Sequence, residues 1–196
     1  MEKIFYIMGK SASGKDKIYR FLMENEALGL KPLILYTTRP IRAGEEEGRE
    51  YYFTDEKALE RMRKSGRVIE ERTYQTVVGP WTYFTADDGR IDLSRHPYLG
   101  IGTPESYIKM KAYYGNEAVV PLYIEVNDFN RLSRSIKRES KKEKPNYQEV
   151  CRRFLADTED FSEEKLSEAG IGRRFENDGD LADCLREVEE YISGML

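Results

Sequence analysis

The chain is poor in the residues that most metal and redox chemistry requires. It has one histidine, His96, and two cysteines, Cys151 and Cys184. The cysteines stand far apart without ligand spacing, and His96 precedes Pro97 in a polar stretch without partners, so no zinc cradle can be assembled from them. Two such thiols read as reduced bystanders, which gives a cytoplasmic location as the expectation. Long hydrophobic runs are missing too. The apolar run in "MEKIFYIMGK" is far too short to cross a bilayer and carries no cleavage-type signal. Nor is there an excess of positive charge: 32 Lys and Arg face 36 Asp and Glu, a net charge of −4. Wholesale attachment to nucleic acid or to an anionic membrane is thereby excluded, and any phosphate recognition must be local. Repeats, linkers and low-complexity tracts are absent as well.

What is present suits one domain. The 196 residues are 39% hydrophobic and 35% charged, enough for a substantial core. Ile4–Met8 reads as a buried strand ended by Gly9, and Ile18, Phe21 and Leu22 set a helix running from Lys15. Pro32–Tyr36 reads as a second strand. Thr54 or Asp55 caps a helix that Gly66 terminates. "RVIEERTY" and "PWTYFT" read as strands, and residues 86–96 as an exposed, turn-rich segment. "PYLGIG" is a buried strand, followed by a helix over Pro104–Tyr114. "AVVPLYIEV", 118–126, is the most apolar strand. Helices then span about 128–142 and 146–168, broken at Lys144–Pro145, before a late strand "RFEND" and a closing helix Leu181–Met195. Strands alternating with helices predict an α/β three-layer fold with a mainly parallel sheet.

The strand–glycine–helix context surrounds "GKSASGKD", Gly9, Lys10, Ser11, Ala12, Ser13, Gly14, Lys15 and Asp16. Gly-x-x-x-x-Gly-Lys opening a helix after a strand is a phosphate-binding loop. Its backbone N–H groups cradle donor phosphates, and Lys15 reaches between the β- and γ-phosphates of ATP. The bland alternative is a plain glycine turn. Ser or Thr, whose hydroxyl ligates Mg²⁺, normally closes this pattern, whereas Asp16 stands here. A carboxylate in a first helical turn is favoured by the macrodipole but repels a triphosphate unless a cation intervenes. Asp16 therefore either holds Mg²⁺, directly or through water, or points away and caps.

Downstream, "YTTRPIRAGEEEGREYYF", Tyr36–Phe53, offers two guanidiniums, Arg39 and Arg42, and a phenol, Tyr51. Two planar forks and a neutral donor are about what one phosphate monoester needs. A solvated loop with Tyr51 in the core is the bland reading. The stretch resembles the acceptor-binding segment of guanylate kinases, where Thr-Thr-Arg, a second Arg, Gly-Glu, Gly and Tyr recur in this order. With the phosphate loop, "VIEE", an aromatic glycine turn, a charged lid and a late "END", the resemblance covers nearly the whole chain.

The resemblance implies a P-loop NTPase-type fold with a core at about 1–36, 97–127 and 169–196. It adds an acceptor-binding subdomain at about 37–96 and a helical lid at about 128–168. It implies ATP-dependent phosphorylation of GMP or dGMP with Mg²⁺, with ATP and GMP as partners and neither nucleic acid nor membrane. Glu70 falls at the base-reading carboxylate, with Glu71 on the opposite face as its confounder. Tyr83 and Thr85 match the phosphate-touching tyrosine and the hydroxyl that reads guanine O6, while Trp81 fits the core equally well. Arg134 and Arg138, four apart on one helical face, and Arg153 match the lid arginines that join Lys15 in catalysis.

Two departures stand out. The family's acid-x-acid pair is replaced by Gly100 and Gly102, and its serine before Thr-Thr-Arg by Leu35. These raise the expectation that Asp16 supplies the missing carboxylate; Asp87, Asp88 and Asp92 are rivals in a turn-rich loop. They also leave two other functions open: a binding module without turnover, or a kinase of this fold acting on another phosphorylated small molecule.

Overall fold

The first strand, β1 (Ile4–Met8), is buried along its whole length and lies at the centre of a five-stranded sheet. The computed structural model describes residues 2–76 and 79–196. The other strands of this sheet are β2 (Lys31–Pro32), β7 (Tyr98–Ile101), β8 (Val119–Glu125) and β9 (Arg174–Glu176), in the order β2-β7-β1-β8-β9. Every pairing in it is parallel. Successive side chains of a strand point to opposite faces, so β1 feeds two cores. Ile4, Tyr6 and Met8 pack with Tyr107 and Met110 of α3 (Pro104–Tyr114) and Leu166 of α6 (Glu163–Glu168). Phe5 and Ile7 pack with Ile18 and Leu22 of α1 (Lys15–Glu24) and with Val188 and Ile192 of α7 (Leu181–Ser193). This is the expected three-layer α/β fold.

A second, mixed sheet has the order β4-β3-β6-β5. It comprises β3 (Tyr36–Thr37), β4 (Tyr52–Phe53), β5 (Val68–Thr76) and β6 (Gly79–Ala86), with α2 (Glu56–Lys64) packed beside it. Tyr36, Leu59, Phe84 and Ala86 form its small core. The side chain of Asp55 caps α2 by accepting from the Ala58 N–H at 2.7 Å.

Four expectations need correction. The strand placed at Pro32–Tyr36 is two strands in different sheets: β2 pairs with β7, and β3 with β4 and β6. Hydrophobic pattern alone does not tell which partner a strand takes. The segment 146–168 is also two helices, α5 (Tyr147–Asp160) and α6, broken where Phe161 turns into the core and Ser162 caps α6. The preceding helix, α4 (Asp128–Glu139), stops three residues early, where the Glu139 carboxylate accepts the Asn146 N–H at 2.8 Å. Finally, Phe21 is half exposed on α1, whereas Ala86 and Leu93, in the segment read as exposed, are buried. Among the described residues no helix is long and apolar enough to cross a membrane.

Candidate active site

Parallel strands β1 and β7 are neighbours, so the loop after β1 and the start of α3 after β7 emerge side by side at the carboxyl edge of the sheet, where α/β folds bind ligands. The loop Gly9–Asp16 is held in a special conformation. Gly14, at the start of α1, has φ +90°, and a Cβ there would come within 2.4 Å of Asn177 Nδ2. Ala12, at φ +66°, is the one non-glycine with positive φ among the described residues. Such backbone is retained where surrounding contacts over-determine it. Here Asn177 supplies one: its Nδ2 donates to the Ser13 carbonyl at 2.7 Å, while its own N–H donates to Glu125 O. The next residue, Asp178, accepts from the Asn127 backbone and side chain at the start of α4. The "END" segment thus ties the loop to α4. Ser13 Oγ is buried without a hydrogen-bond partner.

Helices α4 and α5 bear directly on this loop. The Ser11 N–H donates to Asp157 Oδ2 at 2.8 Å, and Lys10 Nζ lies 3.8 Å from Asp128 Oδ1. Both carboxylates are joined by Arg131, whose side chain is 1% exposed. Its Nε donates to Asp128 at 2.6 Å, its Nη1 lies 3.6 Å from Asp157, and its guanidinium stacks 3.7 Å from the Phe154 ring centre. A carboxylate therefore already meets one amide of the Gly9–Asp16 loop.

Of the arginines expected in a lid, Arg138 and Arg153 line one cavity of about 400 Å³ with Ser11, Arg131 and Lys142. Arg134 stands elsewhere: its Nη2 donates to the Asn177 carbonyl at 2.8 Å, on the same residue that anchors the loop. Glu139 pairs with Lys142 at 2.7 Å, in keeping with a mostly solvated basic run.

The acceptor-side residues gather on one face of the second sheet. Antiparallel register sets Glu70 opposite Thr85, Arg72 opposite Tyr83 and Tyr74 opposite Trp81, and paired residues share a face. Glu70 is buried, and Thr85 Oγ1 donates to its Oε1 at 2.9 Å. Glu71 is on the other side, bound by Arg63 at 2.9 Å, which removes the confounder from this face. Tyr51 and Tyr83 meet edge to face, ring centres 5.4 Å apart, and the Arg39 guanidinium lies 5.4 Å from the Tyr51 ring centre. Burial pushes the Tyr51 phenol above its ordinary pKa, so it remains a neutral donor. Arg39 is almost wholly buried and forks onto Glu45 at 2.8 and 3.0 Å. Arg42 is exposed, with its guanidinium 5.7 Å from the Trp81 ring centre. Residues 77 and 78, which follow β5 and precede β6 in the sequence, lie outside the described residues.

The lost acid pair has a steric counterpart. The Tyr6 ring fills the space beside Gly100 and Gly102: a Cβ on Gly102 would lie 2.2 Å from the Tyr6 hydroxyl, and one on Gly100 3.0 Å from its ring. That hydroxyl donates to Ser106 Oγ at 3.0 Å, and burial pushes its pKa up. Leu35 packs against the same core. The rival acids are engaged locally: Asp87 by Tyr113, Asp88 by Tyr36 and Arg90, and Asp92 by Ser94. Asp16 is largely exposed, 3.1 Å from Lys15 Nζ. Among the described residues no three His, Cys, Asp or Glu side chains gather into a metal cradle. One open carboxylate beside an anion loop fits a Mg²⁺ that arrives on nucleotide phosphates and keeps its waters, not an ion caged by protein.

Sequence reasoning missed Glu45, Arg72, Arg131 and Asp157. Glu70 and Arg72, two apart on one strand face, and Asp128 and Arg131, one helical turn apart, carry local spacings that a charge-rich chain offers many times over. Glu45 sits within the Gly-Glu of the acceptor segment, and only the contacts of Asp157 with Ser11 and Arg131 are distant in sequence.

The guanylate kinase family model matches residues 1–81. Guanylate kinase from Rhodopseudomonas palustris (strain HaA2) is 39% identical over 67 residues, 34% of this chain and 30% of that protein. The enzyme of that name from Coxiella burnetii is 39% identical over 70 residues, 36% of this chain and 34% of that protein. The matched stretch thus spans about a third of the length of these curated relatives. The crystal structure of guanylate kinase from Anaplasma phagocytophilum superposes with a TM-score of 0.63 at 18% identity, covering 98% of this chain and 85% of that one. Over residues 1–81 the chain is thus similar in sequence to guanylate kinases, and over nearly its whole length it shares the fold of a solved guanylate kinase.

Proposed function

We propose that the chain is a nucleoside monophosphate kinase that transfers the γ-phosphate of ATP to GMP or dGMP, giving ADP and GDP or dGDP. The observation that carries this reading is the gathering of Arg39, Tyr51, Tyr83, Thr85 and Glu70 on one sheet face. It is an ordered line from an arginine–phenol cluster to a carboxylate–hydroxyl pair, as a nucleotide has a phosphate at one end and a base at the other. Arg39, Arg42, Tyr51 and Tyr83 take the acceptor phosphate, with the Arg39 fork exchanging Glu45 for phosphate oxygens. Glu70 accepts from the base.

The loop from Gly9 to Asp16 takes the donor phosphates, with Lys15 between the β- and γ-phosphates. Residues 37–96 act as the acceptor subdomain and 128–168 as a lid over a core made of the rest. Arg134, Arg138 and Arg153 stabilise charge on the moving group. The acceptor is already a phosphate anion at neutral pH, so no general base is needed; positioning and charge stabilisation do the chemistry. Asp16 would hold Mg²⁺, whose bound charge supplies neutralisation of the phosphates. A cytoplasmic location fits this metabolism.

A second reading is a guanylate-kinase-like binding module without turnover, favoured by the Tyr6 ring where the acid pair would stand. A coupled ADP-release assay with ATP, Mg²⁺ and a panel of GMP, AMP, UMP and sugar phosphates separates the readings. ADP release that depends on GMP supports the proposal. Release with another acceptor alone assigns a different substrate, and none above background leaves the module.

A further inference from the structure

Beside Glu70, on the same sheet face, stands a residue to which the proposed reaction gives no role. Arg72 Nε lies 3.3 Å from Glu70 Oε2, with side chains 16% and 0% exposed. The two atoms are buried and face each other, yet neither has a hydrogen-bond partner. One is a donor and the other an acceptor. A buried polar group without a hydrogen-bond partner is costly to the fold, so each is poised for a ligand that completes it. Arg72 also lines a cavity of about 540 Å³ with Tyr74 of its own strand and Thr103 and Glu105 at the start of α3. The orphaned pair therefore lies at the cleft between the second sheet and the carboxyl edge of the core sheet.

Thr85 adds a constraint. A hydroxyl has one proton to donate, and Thr85 Oγ1 spends it on Glu70 Oε1. Toward a base it can then only accept, so it cannot also donate to a ring carbonyl. If the acceptor is a 6-oxopurine, as the proposed function holds, its edge offers an N1–H beside a C6 carbonyl: one donor next to one acceptor. Apart from their mutual ion pair, Glu70 Oε2 lacks a hydrogen-bond donor and Arg72 Nε an acceptor, and the lactam edge supplies both.

We infer that Arg72 is a specificity-determining residue of the acceptor site, and that its guanidinium donates to the C6 carbonyl of a 6-oxopurine monophosphate while Glu70 Oε2 accepts N1–H. On binding, the base edge replaces the direct Glu70–Arg72 contact and satisfies both partners. This inference rests on the proposed acceptor chemistry, and it adds a reader that neither the family motif nor the pattern of the chain assigns.

The test is a ligand-by-residue cycle on the whole chain, with GMP and 6-thio-GMP titrated calorimetrically against wild type and Arg72→Met. The thio analogue keeps N1–H and the 2-amino group but carries a poor acceptor at C6. Wild type should lose roughly 10- to 150-fold in affinity on going from GMP to the analogue, the worth of a hydrogen bond to a charged group. Arg72→Met should bind GMP weakly and show little further loss with sulfur. An equal thio penalty in both proteins overturns the inference while leaving GMP as substrate. Failure of wild type to bind GMP, with another phosphorylated acceptor bound instead, overturns both the inference and the reading beneath it. ATP affinity reports on folding. Where Arg72→Met loses that too, Arg72→Lys takes its place: lysine reaches Glu70 but lacks the planar fork, so its thio penalty should fall below that of wild type, and equality overturns the inference.

Discussion

The two ends of the site are built by different means. The proposed donor end is eight consecutive residues whose backbone would make the binding surface, fixed by glycine geometry and by Asn177 from the far end of the chain. The proposed acceptor end is a set of side chains contributed by β5, β6 and the loops around β3 and β4, brought together by strand register and by the packing of those loops. Each end is also charge-compensated in its own way: Asp157 meets a loop amide, and Glu45 fills the Arg39 fork. A backbone site tolerates little change in conformation but much in neighbouring side chains. A side-chain site can instead be retuned one residue at a time, as the role proposed for Arg72 would illustrate.

That contrast can be broken most sharply at Lys15. Lys15→Ala should lower kcat by on the order of 10²–10³-fold, the scale of losing one charge-stabilising donor, with GMP affinity intact. Steady-state kinetics decide; a loss confined to KM for GMP would mean that the two ends are not separate.

Next in size is Gly102→Ala, whose new methyl meets the Tyr6 ring. Overpacking should cost about 1–3 kcal/mol in chemical denaturation. The cost should shrink in a Tyr6→Val background, because residues in contact couple. Equal costs in the two backgrounds would remove Tyr6 as the reason for glycine there.

A smaller effect is expected at Asp157. Asp157→Asn removes a negative charge from the donor loop, so KM for ATP should fall roughly 2- to 5-fold, in line with about 0.5–1 kcal/mol for a solvent-screened charge. A rise in KM would show that the carboxylate aids nucleotide binding. Acid should loosen the same region. The Arg131 hydrogen bond holds Asp128 below the usual carboxylate range. Its contribution to stability is therefore complete above the unfolded value of about 4 and is lost as pH falls through the lower folded value. Asp128→Asn should flatten that acid limb in denaturation midpoints measured from about pH 5 downward.

The smallest effect concerns Asp16. Asp16→Ser should weaken Mg²⁺ dependence of turnover by a few-fold, since one open carboxylate contributes only part of an ion held by phosphates and water. Unchanged Mg²⁺ affinity and turnover would assign Asp16 to helix capping alone.

Much of this was legible in the chain. The order of strands and helices followed from apolar runs, caps and glycines, because each is a local signal. The phosphate loop was legible for the same reason, its residues being contiguous. Glu70 and Thr85 were singled out separately, and the β5–β6 register then placed them in contact. What the sequence hid was the chain's change of sheet between Pro32 and Tyr36, and which charged residues pair: Arg39 with Glu45, Glu70 with Arg72, and Arg131 with Asp128 and Asp157. Each of those contacts joins groups whose proximity depends on packing, and a charged residue in a charge-rich chain carries no mark that it is buried.

The account depends above all on Arg39 facing an acceptor phosphate. Calorimetric titration of GMP into wild type and Arg39→Ala tests this most directly, with ATP titrated as a control. GMP affinity should drop roughly 10- to 150-fold, the worth of a charge-assisted hydrogen bond, while ATP affinity holds. Unchanged GMP affinity in a folded Arg39→Ala protein would contradict it.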